Sequence, residues 1–557
     1  MSLTDASTSP FAAGDAATAT QDVASKRSLW QTIENALELG GERLNPILVK
    51  EARQALKSKQ FVITFTLLLL AGWVWSMLGV ALLSPGVYYA PGGRFMLSGY
   101  FIILAIPVLV IVPFSAFRSL AAEREDGTFE LLSITALSSR QIVTGKLGSA
   151  VLQMLVYYSA LAPCIAFTYL LRGIDIVTIV FLLFWTLVAS VLLASVGLVV
   201  ATVTRARHWQ VLLSVLLLLV ALCIVTLIWT TSFVSVITDT QATAFDDADF
   251  WLAMACIMTF CISHAIMFIL IAAAQISFAS DNRSTRLRVM LLIQQTLWLG
   301  WMMFFWIRFE EEAFLYVLVS VAAIYWALAG ACLMGEAAIL SPRVKRSLPQ
   351  SFLGRMCFTW FNPGSGTGYT FTVANLLTLL IVTVAAGLTA EMEGFAAARG
   401  NLDWLLFATL AVAYVVLYLG VGRLLVLLLR QLGRVTMLLT FLVNVFLAVV
   451  GVAIPLFFQA WLEGYGRMSY SLVQLTNWVW TLEEAGDGNL LSFSLVPIIV
   501  YGSAGIVFLL NLLFAIYEVE QVRLVTPERV LRDELELHPP PDDSQRRASP
   551  WDEPMVT

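Results

Sequence analysis

A chain of 557 residues, 59% hydrophobic and 13% charged, lies far from the roughly 25% charge of an ordinary soluble domain. Apolar runs of about 20 residues recur from Phe61 to Tyr517, each long enough to cross a hydrocarbon core of roughly 30 Å. This excludes a soluble globular protein and predicts an all-α, polytopic membrane protein; the net charge of −5 excludes nothing, because what matters is where the charges lie.

Residues 1–41 are rich in Ala, Ser and Thr with scattered Asp, and they lack the basic opening and apolar middle of a secretory signal. They read as a disordered cytosolic tail, since they cannot bury enough to offset the entropy of ordering. Residues 42–60 then predict an amphipathic interfacial helix. Asn45 is placed to cap it and Pro46 to occupy its first turn. Ile47, Leu48, Ala52, Ala55 and Leu56 recur at helical spacing, with Lys50, Glu51, Arg53 and Lys57 on the other face. Such a helix lies in the membrane interface with its lysines towards anionic headgroups. It serves either as a plain basic anchor or as an element passing force into the first span.

About twelve spans follow, at 61–83, 96–117, 147–171, 174–203, 209–234, 250–279, 289–307, 313–334, 371–390, 404–429, 435–460 and 493–517. With both termini cytoplasmic, only Arg94, Arg172, Arg308, Arg399 and Arg467 of the 33 basic residues fall in outer segments, as the positive-inside rule requires. Arg423 sits within a span and is expected to snorkel towards the inside. The outer loops are acidic, with Glu310 to Glu312 and Glu483, Glu484 and Asp487 as solvated faces. Trp229, Trp251, Trp306, Trp404 and Trp461 fall near outer span ends, where an aromatic belt belongs. Residues 518–557 read as a second cytosolic tail, mostly disordered.

The six cysteines are scattered, mostly within apolar runs and without a CxxC pair, so they read as packing residues and no metal site is expected. Gln153, His264 and Gln275 are polar residues inside spans and hence candidates for lining a path. Hydrogen bonding to a neighbouring helix accounts for them equally well.

One polar stretch interrupts the spans: "EREDGTFELLSITALSSRQIVTGK", Glu123 to Lys146. Asp126-Gly127 is a break signal, Thr128 can cap a short helix, and Ser138 with Gln141 has capping-box spacing. Residues 119–146 therefore predict a compact elbow at the membrane surface. Its apolar stripe (Phe129, Leu131 and Leu132) and its carboxylates suit docking into a partner's groove.

This stretch resembles the cytosolic motif of the ABC-2 type transporter permeases, the transmembrane subunits of ABC exporters. Glu123, Glu125, Gly127, Thr128, Glu130, Leu131, Leu132, Thr135, Leu137, Ser138, Ile142, Gly145 and Lys146 fit it, with Ala136 where the family has proline. The helix after Asn45-Pro46 resembles that family's connecting helix. The likeness covers about residues 43–279, one six-span permease unit at 61–279. It implies that the elbow is a coupling helix resting on a separate ATP-binding-cassette subunit, with ATP and Mg on that partner. Residues Glu123, Glu125, Gly127, Thr128, Phe129, Glu130, Leu131 and Leu132 would make or shape the contact. Two permease units, in a homodimer or with a second permease, would then flank the path in the bacterial cytoplasmic membrane. In agreement, the chain has no G-x-x-x-x-G-K-[ST] loop to cradle phosphates, and no nucleic-acid partner is implied.

Residues 280–517 form a second six-span membrane unit without a second copy of the motif, either appended or a strongly diverged half. The leading expectation is an ABC permease that is not itself an enzyme. A twelve-span secondary transporter is the alternative, disfavoured by few ionisable residues at mid-membrane. A membrane enzyme or scaffold would want a cluster of His, Asp or Cys near an interface, and none is evident.

Overall fold

The computed structural model describes residues 45–84, 86, 89–125, 137–203, 207–237, 244–278, 281–337, 351, 359–393, 403–433, 435–463, 469–490, 495–524 and 528–538. Among these there is no strand, and twelve helices are long and apolar enough to cross a membrane. The chain divides into two compact units, Met1–Ile276 and Ser277–Thr557.

In the first unit α1 (Pro46–Leu56) is the amphipathic helix, and α2 (Lys59–Leu83) follows at once. Next come α3 (Gly93–Glu125), α4 (Ser139–Leu170), α5 (Ile176–Val203), α6 (Arg207–Ile237) and α7 (Ala248–Ile276). The centre is α3, with 56% of its apolar window buried against 17% for α2. Met96, Tyr100, Leu104 and Val108 form its fully enclosed i, i+4 stripe. Leu67, Leu70, Trp73 and Met77 of α2 instead point outward, an apolar surface that only lipid or another apolar face can cover.

The helix α3 tightens its own problem with Pro107. Proline brings no N–H, and the backbone passes through a π-helical turn at Ile106–Ile111 before resuming as α-helix. The Val108 carbonyl accepts the Ser190 hydroxyl of α5. Elsewhere, span hydroxyls such as Thr64, Thr66 and Thr186 donate to the carbonyl four residues back, so they are satisfied inside their own helices.

The second unit contains α8 (Thr285–Phe309), α9 (Ala313–Leu333), α10 (Ser365–Glu393), α11 (Asp403–Leu432) and α12 (Met437–Glu463). A 3₁₀ turn at Leu472–Thr476 and the short α13 (Trp478–Gly486) precede α14 (Leu495–Leu524) and α15 (Glu528–Leu537). Here α11 is the most enclosed, with half of its apolar window buried.

The spans coincide with the twelve expected apolar runs but several helices outrun them. At 1.5 Å per residue the 32 residues of α4 reach about 48 Å, well beyond a hydrocarbon core of roughly 30 Å. The polar ends of α3 and α4 keep helical form because Ala121, Ala122, Glu123 and Arg124 are good helix formers and Ser138 caps α4. Two expectations need correction. Trp306 and Trp404 do not belong to a lipid-facing belt: both are buried and pack with Leu315 in one cluster, while Trp251 and Trp461 are exposed. Arg423 does not snorkel, because Glu518 and Asn511 give it partners inside the protein.

Candidate functional site

The interfacial helix α1 is anchored along α4. The Asn45 side chain accepts from the Ile47 N–H at 3.1 Å and its amide donates to the Gln141 carbonyl of α4. Pro46 holds the first turn. Two glycines then allow close approach: a Cβ at Gly145 would come within 2.9 Å of Ile47, and one at Gly148 within 2.9 Å of Leu48 Cδ1. One turn further along α1, Glu51 reaches Lys146.

Lys146 is the centre of this junction. Its side chain is 1% exposed, and its ammonium lies 3.2 Å from Glu51 of α1 and 3.0 Å from Glu123 of α3. It donates to the Ser119 carbonyl at 3.3 Å. One hydrogen bond and two ion pairs thus join this ammonium to groups on two other helices. Arg124 adds a bond from the end of α3 to the Ala201 carbonyl of α5 at 3.1 Å. The start of α4 carries the capping box, with Ser138 N–H donating to Gln141 Oε1 at 2.9 Å and Gln141 N–H to Ser138 Oγ at 3.4 Å. Both stems of the elbow are thus fixed, one to the other and both to α1.

The sequence-derived coupling residues divide accordingly. Glu123 faces inward onto Lys146, whereas Glu125 ends α3 exposed. Gly127, Thr128, Phe129, Glu130, Leu131 and Leu132 lie outside the described residues. On α1, Glu51 is engaged while Lys50 and Arg53 are exposed.

The path candidates do not form one cluster with a shared task. Gln153 is buried on α4. His264 of α7 faces the Phe260 carbonyl of its own helix at 2.8 Å and lies beside the Phe260 and Phe268 rings. Gln275 is three turns further along α7 and half-buried. Among the described residues no group of three or more His, Cys, Asp or Glu side chains is placed to hold a metal.

In the second unit the charges are enclosed differently. Arg423 of α11, fully buried, donates to the Asn511 carbonyl at 2.7 Å, to Asn511 Oδ1 at 3.1 Å and to Glu518 at 3.1 Å. The same Glu518 carboxylate accepts the first N–H groups of α10, Ser365 at 3.0 Å and Gly366 at 2.9 Å. An anion there satisfies orphan donors and the positive end of the helix dipole. Gly366 must be small, since a Cβ would stand 2.8 Å from Arg423 Nη2. Nearby elements repeat the theme. Arg288 pairs with Glu336 at 2.6 Å and donates to the Trp360 carbonyl at 2.6 Å, and Arg430 donates to the Met334 and Glu336 carbonyls at the end of α9.

The stretch after α12, expected to be a plain acidic loop, re-enters the helical bundle. Gln459 Nε2 donates to the Ser469 carbonyl and Gln474 Nε2 to the Pro455 carbonyl. Thr476 Oγ1 then reaches the Gly451 carbonyl and Trp478 Nε1 the Ala448 carbonyl. Each contact lies about a turn deeper along α12, and Ala448, 15 residues from the end at Glu463, is about 22 Å in. Tyr414 and Tyr418, near the middle of α11, donate to the Leu475 and Thr476 carbonyls at 2.7 and 2.5 Å. Pro455 explains the seat: it cannot donate to Gly451 O, and the Thr476 hydroxyl supplies the missing partner. Glu483 and Asp487 beyond it remain exposed.

No protein-family model, no curated protein and no solved structure matches this chain. The architecture itself is that of a multi-span, transporter-like integral membrane protein.

Proposed function

We propose that the chain is the membrane-spanning permease subunit of an ATP-binding-cassette exporter of the ABC-2 type, driven by a separate ATPase chain. The observation that carries this reading is the Lys146 junction. A segment that receives a push must have stiff stems, because only differential contacts in two states can shift one into the other. Lys146, Glu51 and Glu123 tie both stems of residues 126–136 to α1, which continues after two residues into α2. Displacement at the elbow would thereby move α1, α3 and α4 together.

In this reading both termini face the cytoplasm of a bacterium and ATP with Mg is bound by the partner. A second permease unit, as a homodimer or a heterodimer, completes the path. Among the described residues of the elbow Glu125 is the exposed carboxylate left for the partner; Lys146, Glu123 and Glu51 serve the mount, while Lys50 and Arg53 of α1 stay exposed. The test is co-expression with any ATP-binding-cassette ATPase found encoded beside this chain, followed by co-purification and substrate-stimulated ATP hydrolysis. Glu125→Lys should lower stimulation at least fivefold with unchanged membrane insertion. Failure of any ATPase to co-purify would overturn the reading.

One observation favours a second reading, a twelve-span secondary transporter: the enclosed Arg423–Glu518 pair is a buried charge pair of the kind on which ion coupling depends. Uptake by the chain alone in proteoliposomes, driven by a proton gradient without ATP, distinguishes the two.

A further inference from the structure

The helix α1 has two faces, and the Lys146 junction uses one of them. Ile47 and Ala52 are buried and Glu51 is engaged. On the opposite side, Lys50 and Arg53 with Lys57 at the C-cap stand exposed at i, i+3 and i+7, within about 60° of one another at 100° per residue. Among the described residues no carboxylate pairs with these three. The nearby acids Glu51 and Glu123 are both turned onto Lys146, so the outward face is left positive. Its position is set as well. Only Lys57 and Ser58 separate α1 from α2, and Val62, Ile63 and Leu67 in the first turns of α2 are exposed apolar side chains. A basic stripe that ends one turn of chain before an apolar outward surface suits a phospholipid, its phosphate at the first and its acyl chain at the second.

We propose that Lys50, Arg53 and Lys57 form a docking face for anionic phospholipid headgroups, and that the bound lipid presses α1 onto α4 and so holds the Lys146 junction closed. The inference needs only a membrane and no ATPase partner. Each basic side chain at an anionic surface strengthens association about fivefold.

The test uses the full chain in nanodiscs of phosphatidylcholine alone or with 30% phosphatidylglycerol, chosen as an anionic probe. Amide exchange in residues 46–56 should slow by about tenfold in the anionic discs. The variant Lys50→Gln/Arg53→Gln/Lys57→Gln should lose that difference, and the charge-preserving Lys50→Arg/Lys57→Arg should keep it. Exchange in α3 reports whether each variant is folded. Equal protection of 46–56 in both lipids, or an undiminished difference in the triple Gln variant, overturns the proposal. Protection reproduced by inorganic phosphate in neutral discs also overturns it, since the site would then take a free anion rather than a lipid.

Discussion

The two units solve the same problem, a charged side chain enclosed at the polar end of a helical bundle, in opposite ways. In the first, the cation Lys146 gathers carboxylates from α1 and α3, and the result is to bind an extra helix onto the bundle. In the second, the carboxylate Glu518 gathers a cation and two helix-terminal amides, and the result is to close the bundle on itself. The first arrangement holds a helix that lies outside the spans, α1; the second joins only the spans α10, α11 and α14. Enclosed charges thus mark where each unit is held and, under the proposed function, in the first unit also where it would be pushed.

The largest way to break this contrast is Glu518→Ala. It would strand a guanidinium that is fully buried and deprive α10 of its N-terminal anion, at about 3–5 kcal/mol. Unfolding of the detergent-solubilised protein followed by tryptophan fluorescence should show it. Arg423→Met combined with Glu518→Gln should recover more than half, because a missing pair costs less than a broken one. If the double variant is as unstable as the single, the carboxylate acts through α10 alone.

Next comes Lys146→Met, which leaves two carboxylates facing each other at a loss of about 3 kcal/mol. Its sharper readout is local. Exchange protection should vanish from residues 46–56 while α3 stays protected and, under the proposed function, stimulation of the partner ATPase should fall in parallel. A uniform loss throughout the unit would make Lys146 a general core residue rather than a joint. Smaller still, Gly145→Ala forces Ile47 aside by several tenths of an ångström and should cost about 1–3 kcal/mol, with α1 again the element that loosens.

The smallest effect concerns the opposite end of the second unit. Burial, and then the nearby charge of Asp403, hold the Glu312 carboxyl above its ordinary value. The folded chain therefore keeps this proton to a higher pH than the unfolded chain. The resulting stability is present below the ordinary carboxylate range and is lost as pH rises through the raised value. Glu312→Gln should flatten that slope and raise Tm by about 1 °C at pH 7. No change in the pH slope would place the carboxyl in free contact with water.

What could be read in the sequence was whatever is local. The twelve spans follow from apolar windows, and Asn45 with Pro46 and Ser138 with Gln141 announce helix starts through side chains two or three residues from what they cap. The junction residues were visible only singly. Lys146 stands in the recognisable stretch, yet Glu51 is 95 residues earlier, and Arg423 and Glu518 are again 95 apart. No periodicity pairs residues at that distance. The re-entrant stretch escaped for a different reason. Gln474 and Asn477 lower its mean hydropathy to that of a loop, although together with Gln459 and Pro455 of α12 they are the groups that let a non-helical backbone be satisfied against a bundle.

Proline at position 455 carries a consequence for any attempt to map this protein from outside. A carbonyl freed in the middle of a helix has become the floor on which residues 471–478 rest. Epitope tags or cleavage sites placed there, as one would place them in a surface connection, should abolish accumulation of the protein rather than report its sidedness. Thr476→Val, which removes one hydroxyl on an exposed residue, should leave the Gly451 carbonyl without that partner and lower the protein's thermal stability.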